Sequence, residues 1–279
     1  MDYGHGDHWE CIFAMDEFNK DWIPKILAEG KVIDAIKLTR KWFDNDYESE
    51  EAVVIFSYPD GELSFNAICV SNSKEKTLSL FSMYPCINDG TVIELTVENI
   101  IDWGEGGDGI EGVIQAVDEK GSPFGFFDTK YYKNRNKYEI GKTYPFKVAA
   151  IVYMIEPLDS RTFEITEVDK IMDFYSKLGD KPKYDEDGKL KPLIFDLSQL
   201  VALLSKSEEY PDDFEFQFPI NDITNFIIDD VNIYKIKAPF MRDPDIEGVL
   251  YVSDKILNHE ISIGEPIRGV LWMQGFLDE

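Results

Sequence analysis

Short runs of alternating apolar and polar residues, separated by turn residues, recur along most of this 279-residue chain. The first group lies at 52–58, 63–70 and 77–84, with Pro-Asp-Gly at 59–61 in the first connection. Such turn chemistry between short runs predicts antiparallel strands, here a three-stranded meander. The fold class that we predict is therefore α+β and β-dominated.

A second series of strand-like runs lies at 91–101, 110–117, 124–128 and 144–155, separated by glycine-rich or charged connections. This order of short strands suits a small open barrel of the oligonucleotide/oligosaccharide-binding (OB) type. The remainder, 214–277, returns to the same pattern. We therefore expect small antiparallel sheets or open barrels in both parts.

Two stretches of the chain share landmarks in the same order. The run 110–114 resembles 246–250, and Ile140-Gly141 recurs as Ile263-Gly264. These matches predict two related OB-like units, because a duplicated unit repeats its turns and strands in sequence. The alternative is that strand–turn–strand segments of similar composition resemble each other by chance.

Three segments have helical patterns. Residues 22–43 predict two short helices separated at Gly30, and together they form a helical N-terminal region. A capping-box start at Thr166 predicts a helix that ends at Gly179. A further helix is predicted at 196–206.

These elements divide the chain into four parts. Residues 1–89 hold the N-terminal helices and the meander, and 90–158 form a barrel-like unit. A helical connection follows at 159–212, with a polar linker at 181–192 that contains two prolines. The second β-unit is expected at 213–279.

The chain carries a formal net charge of -26, with 54 acidic and 28 basic residues. Such a surface repels phosphates and anionic lipid heads, and it attracts basic partners. The plainer interpretation is that the charge serves solubility.

Three widely spaced cysteines, with no CxxC pair, predict reduced thiols and a cytoplasmic protein. We expect no signal peptide and no membrane association.

No catalytic motif stands out, so no catalytic residue and no cofactor are predicted. Residues 104–109 satisfy GxGxxG, but a strand follows them and two acids lie among them, which indicates a hairpin loop. The three histidines, His5, His8 and His259, belong to no nucleophile signature. An enzyme that uses paired carboxylates stays an alternative.

Two groups of residues have some of the spacing of metal ligands, and we predict no metal site from either. The N-terminal group is His5, Asp7, His8 and Glu10. The other nearly spells a calcium-binding EF loop, but no helix precedes it and its second half alternates like a strand. Its residues are Asp243, Asp245, Glu247, Gly248 and Asp254.

One basic, tyrosine-rich stretch lies inside this acidic chain. Cations interleaved with aromatic rings are typical of single-strand or nucleotide binding, which makes nucleic-acid binding on a barrel face our alternative function. The opposing interpretation is a surface segment whose tyrosines pack on the barrel. The candidate residues are Lys130, Tyr131, Tyr132, Lys133, Arg135 and Lys137.

An acidic stretch precedes the second β-unit and offers carboxylates and an aromatic anchor to a partner. Its candidate binding residues are Glu208, Glu209, Tyr210, Asp212 and Asp213. Together with the net charge, they predict a non-enzymatic protein that binds another protein with a basic surface. An inhibitor, an immunity protein or a phage antagonist has this profile.

Overall fold

The fold is known from a computed structural model, which describes residues 8–13, 18–41, 48–72, 77–103 and 109–279. Strands dominate it, and this confirms the predicted fold class. In the described part the strands are β1 (Lys31–Lys41), β2 (Glu48–Tyr58), β3 (Leu63–Asn72), β4 (Thr77–Ile87), β5 (Thr91–Trp103), β6 (Glu111–Val117), β7 (Pro123–Asp128), β8 (Thr143–Pro157), β9 (Thr162–Ile165), β10 (Leu193–Asp196), β11 (Ala202–Ser205), β12 (Asp213–Pro219), β13 (Asp222–Ile228), β14 (Val231–Arg242), β15 (Asp245–Ser253) and β16 (Pro266–Leu277).

Helices are short in the described part of the chain. The α-helices are α1 (Ile23–Glu29), α2 (Tyr131–Asn134) and α3 (Val168–Leu178). Single turns of other helix types are His8–Cys11, Phe18–Trp22 and Arg135–Lys137.

The N-terminal region contains a four-stranded meander instead of the predicted three-stranded one. The predicted helix before Gly30 is confirmed by α1, but the predicted helix after it is wrong. That segment is β1, which pairs antiparallel with β2 along its length. Its β-branched Val32, Ile33 and Ile36 favour a strand, and pairing with β2 outweighs the helical spacing of its apolar residues.

A closed barrel is built from β5, β6, β7, β8 and β16. β5 pairs antiparallel with β6 and β6 with β7, while β7 lies parallel to β16. β16 pairs antiparallel with β8, and β8 returns to β5. The result is a five-stranded Greek-key barrel, the class to which OB folds belong. Four strands come from the predicted unit at 90–158, and the fifth comes from the far end of the chain.

A second barrel shares β8 and β16 with the first. β16 pairs with β12. β8 pairs with β5 through its first part and then pairs parallel with β15 through the residues that follow. β15 pairs with β14, and β14 pairs with β13, which follows β12 after a break at 220–221. The large sheet is therefore two barrels joined through the antiparallel pair of β8 and β16.

The two barrels repeat one register, in which each residue corresponds to the residue 123 positions later (141 to 264, for example). The Gly141 N–H donates to the Val97 carbonyl over 2.7 Å, and the Gly264 N–H donates to the Ile220 carbonyl over 2.7 Å. Both glycines have a φ of 83°. The predicted match of Ile140-Gly141 to Ile263-Gly264 is thus correct in register.

The predicted match of 110–114 to 246–250 is wrong in register. The first run leads into β6, whereas the second lies on β15, the counterpart of β7. The counterpart of Gly248 is therefore Gly125 on β7. A shared tetrapeptide does not fix register, because strands of similar composition recur throughout the chain.

Side chains of β8 alternate between two cores. Val148, Ala150 and Val152 lie in the core that fills the barrels, whereas Ala149 and Ile151 lie in the core beneath the N-terminal helices and meander. Both faces of β8 are covered, which explains its nearly continuous apolar sequence.

The meander is fixed to the barrels by specific polar contacts. The buried Gln274 side chain accepts the Ile87 N–H over 2.9 Å and donates to the Pro85 carbonyl over 2.7 Å. The N-terminal helix has a contact of its own, because Lys25 of α1 forms an ion pair with Asp229 at 2.7 Å.

The connection between the barrels contains α3, which confirms the helix predicted there. Gly179 ends this helix with a φ of 72°. The predicted Thr166 cap does not form, because Glu167 takes the N-cap position and no side chain caps it. β9 and β10 pair beside the helix.

The helix predicted at 196–206 is wrong. The Asp196 carboxylate accepts the Ser198 N–H over 2.8 Å, a local bond that favours a turn. Ala202–Ser205 then pair with β12 as β11.

Candidate functional site

An acidic cleft of about 360 Å³ opens on the surface where three segments meet. These segments are the start of β5, the β6–β7 turn, and the β14–β15 turn with the start of β15. Its carboxylates are Glu94, Asp118, Glu119, Asp245 and Glu247. We call this site the acidic cleft.

The strand pattern of β5 forms one wall of the cleft. Val92 and Glu94 are exposed, whereas Ile93 between them is buried in the barrel core. The Thr91 hydroxyl donates to the main-chain carbonyl of Glu247 over 2.6 Å, which holds β5 against β15. The wall is therefore apolar at its base and acidic at its edge.

Asp118 is the buried carboxylate of the cleft, with 5% of its surface exposed. Its Oδ1 accepts the N–H groups of Lys120 and Ser122, each over 2.8 Å, and so fixes the β6–β7 turn. Its Oδ2 accepts no hydrogen bond within the described residues. An unmade bond on a buried polar atom costs about 1–3 kcal/mol. Because Asp118 lines the cleft, this unpaired oxygen lies within the cleft wall, covered from solvent.

The start of β15 forms the opposite wall. Asp245 and Glu247 are both exposed, as expected two residues apart on a strand. Glu247 lies 3.5 Å from the Lys237 ammonium and accepts a 3.3 Å hydrogen bond from Asn221. Lys237 therefore offsets one of the five carboxylates.

An ion pair crosses the rim of the cleft. Lys120 of the β6–β7 turn contacts Asp243 of the β14–β15 turn. Both side chains are largely exposed, so the pair is screened by solvent and contributes little to stability.

The carboxylates of the cleft do not form a metal cluster. Within the part of the chain that the structure describes, no three His, Cys, Asp or Glu side chains are grouped to hold a metal ion. Asp243 and Asp254 of the EF-like run lie at opposite ends of β15, which separates them as ligands. Of the acids in this run, Asp245 and Glu247 line the cleft.

The N-terminal histidine group is described in part. His5 and Asp7 lie outside the described residues. The His8 ring packs edge-on against Trp272, with ring centroids 4.0 Å apart, and it also contacts Tyr153. His8 is therefore part of the packing between the N-terminal turn and the barrel.

The basic, tyrosine-rich stretch forms α2 and the turn after it. Tyr131, Tyr132 and Tyr138 are all buried, so their rings do not offer a stacking platform. The Tyr138 hydroxyl donates to Asp128 over 2.5 Å. This placement agrees with the packing interpretation.

Some of the cations in that stretch already contact other side chains of the protein. The Lys130 ammonium lies 3.7 Å from the centre of the Phe276 ring, and Lys137 forms an ion pair with Glu279. Lys133 is exposed and Arg135 is half-buried. The structure does not bring this stretch into the acidic cleft.

The acidic stretch divides into exposed and structural residues. Glu208, Glu209 and Tyr210 are exposed, whereas Asp212 is 1% exposed and Asp213 is partly buried. The Asp212 carboxylate accepts the Trp272 indole N–H over 2.8 Å. Asp212 therefore supports the fold, and this stretch lies outside the cleft.

Two buried carboxylates have raised pKa values. Burial raises the pKa of Asp128 to about 6, against a lowering effect of its bond from Tyr138. Burial likewise raises the pKa of Asp212 to about 6, against the bond from Trp272. Both groups hold core elements together, and neither lines the acidic cleft.

A smaller groove of about 180 Å³ corresponds in part to the acidic cleft, because some of its lining residues occupy equivalent positions in the other barrel. Pro123, Phe124 and Phe214 line it and correspond to lining residues of the acidic cleft 123 positions away. Its lining contains one carboxylate, Glu98. The cluster of acids is thus present in the acidic cleft and not in the smaller groove.

The sequence analysis did not predict this cleft. It considered Asp245 and Glu247 only as part of the rejected EF-like run, and it singled out neither Glu94 nor Asp118 as a site residue. These residues meet through the pairing of β8 with β5 and β15, which is invisible to local patterns.

The described cysteines are buried thiols. Burial raises the pKa of Cys86 to about 12 and also raises the pKa of Cys11. Within the described residues, no helix has the length and apolar character needed to cross a membrane.

Comparison of the chain with protein-family models, curated proteins and solved structures gives no match.

Proposed function

We propose that this protein is an acidic interaction protein that binds another protein by receiving a basic side chain in the acidic cleft. The observation that carries this proposal is the Asp118 carboxylate, buried at the cleft with an oxygen that has no hydrogen-bond partner in the described structure. A guanidinium or ammonium group would supply a compensating charge at the cleft, and it would supply the missing donor once the β6–β7 turn shifts enough to uncover this oxygen.

An organic cation suits the cleft better than a metal ion. Its carboxylates come from three separate walls and are not grouped as metal ligands in the described part. A planar guanidinium presents several donors at once and contacts carboxylates on more than one wall. The apolar base formed by Ile93 and Ile246 suits the aliphatic stem of such a side chain.

The net charge of -26 supports a basic partner as well. A negative surface of this size speeds encounter with a positive one, and the effect weakens as salt is added. Exposed Glu208, Glu209 and Tyr210 offer a further contact area. An inhibitor, an immunity protein or a phage antagonist in the cytoplasm would use a surface of this kind, and the buried thiols suit a reducing compartment.

The test is a nuclear magnetic resonance titration of the ¹⁵N-labelled protein with a short arginine tripeptide and its citrulline counterpart. Citrulline has the same shape without the charge, so it controls for apolar contact. We expect the arginine peptide to shift the amide signals of 91–94, 118–122 and 244–247, with little effect of citrulline. Equal effects of both peptides, or shifts spread evenly over all acidic surfaces, would contradict the proposal.

A second candidate function follows from the same cleft. An enzyme that uses paired carboxylates requires a pocket lined by acids, and the acidic cleft is such a pocket. Turnover of a panel of aryl glycosides that disappears in both Asp118→Asn and Glu247→Gln would favour this candidate over binding alone. Nucleic-acid binding has less support, because the tyrosines of its candidate stretch are buried.

A further inference from the structure

We propose that Lys120 regulates the acidic cleft as an internal cation, which a basic side chain of the partner must displace from the rim. This inference rests on the proposed function and concerns the same site. It adds a built-in competitor, so that the cleft favours ligands able to replace a lysine.

The position of Lys120 supports this role. Lys120 directly follows Asp118 and Glu119, and its partner Asp243 directly precedes Pro244 and Asp245. Those four neighbours all line the cleft. The ion pair therefore joins two walls of the cleft at its rim.

The two turns that form this ion pair occupy corresponding positions in the two barrels. Lys120 and Asp243 are 123 positions apart (120 to 243), so they are counterparts in the two barrels. The chain thus places a cation in one copy of the turn and an anion in the other, and the copies contact each other. The contact at the rim therefore forms directly between these two equivalent turns.

The ion pair is suited to exchange. Lys120 retains 45% of its side-chain exposure and Asp243 retains 83%, so water competes for both groups. The hydrogen bond to Asp243 raises the pKa of Lys120, and the neighbouring charges of Glu119 and Asp118 raise it slightly further. An arriving cation would interact with the same carboxylates.

The experiment compares Lys120→Met with Lys142→Met in titrations with the arginine tripeptide. Lys142 is a matched control, because it is an exposed lysine in an ion pair with Glu139 on another turn. We expect Lys120→Met to bind the peptide about fivefold more tightly at low salt, the upper range for an exposed pair, and Lys142→Met to match the wild type. In the wild type, the ¹³Cε signal of Lys120 should shift during the titration while that of Lys142 stays fixed.

The outcomes separate this inference from the proposed function. If the wild type binds the arginine peptide but Lys120→Met binds no more tightly than Lys142→Met, the regulatory role is overturned and the binding function stands. If neither the wild type nor Lys120→Met prefers arginine to citrulline, both are overturned. Tighter binding by Lys120→Met alone supports the role of Lys120.

Discussion

Replacing Asp118 by asparagine isolates the charge that the acidic cleft offers to a ligand. Asparagine retains an oxygen that can accept the N–H groups of Lys120 and Ser122, so the β6–β7 turn keeps its two 2.8 Å bonds. The amide nitrogen cannot accept those bonds, so it must take the place of Oδ2. The variant thus presents a neutral donor where the wild type has an unused anionic acceptor.

The expected loss follows from that single contact. A hydrogen bond to a charged group contributes about 1.5–3 kcal/mol. Since 1.4 kcal/mol corresponds to a tenfold change in affinity, Asp118→Asn should weaken binding of the arginine peptide about 10- to 100-fold. The fold should persist, with a free energy of unfolding within about 1 kcal/mol of the wild type.

The assay is a peptide titration by nuclear magnetic resonance, with thermal unfolding as the check on folding. Glu186→Gln is the matched control, because it removes the same charge from an exposed turn of the linker. This control should bind the peptide within about twofold of the wild type, since a distant exposed charge is screened. Equal weakening by the two variants would refute the reasoning, because the net charge alone would then explain the attraction.

Three further predictions concern the fold. Gly141→Ala and Gly264→Ala should each lower the free energy of unfolding by about 1–2 kcal/mol in denaturant titrations, because both residues have a φ of 83°; clearly unequal losses would argue against equivalent turns. Gly125→Ala should cost more than about 2 kcal/mol, since its Cβ would lie 2.0 Å from a main-chain carbonyl, whereas Gly61→Ala should be nearly neutral. The pKa of Asp212 in the folded state is raised to about 6, so the folded protein binds a proton at this carboxyl more tightly than the unfolded chain does. Protonation of Asp212 therefore stabilises the fold below about pH 4, and this stabilisation is lost as the pH rises through 6. Relative to the wild type, Asp212→Asn should therefore gain up to about 3 kcal/mol between pH 4 and pH 7.5, and an unchanged difference would contradict this assignment.

The outcomes for helices and strands show where sequence patterns were sufficient. The segment after Gly30 has apolar residues at helical spacing, yet it forms β1 because β2 offers a full ladder of hydrogen bonds. The segment at 196–206 has the same ambiguity, and β12 decides it. By contrast, α3 ends at Gly179 as predicted, since a left-handed glycine is a local requirement of the chain.

The sequence by itself determined the β-rich class, the positions of the strands β2 to β8, and a strongly acidic surface. These properties depend on residue type and on spacing over a few residues, which the chain displays directly. The tertiary structure decided that β8 and β16 are shared by two barrels, and which residues correspond between them. It also decided that Glu94, Asp118 and Glu247 line one cleft, because only long-range strand pairing brings such distant residues together.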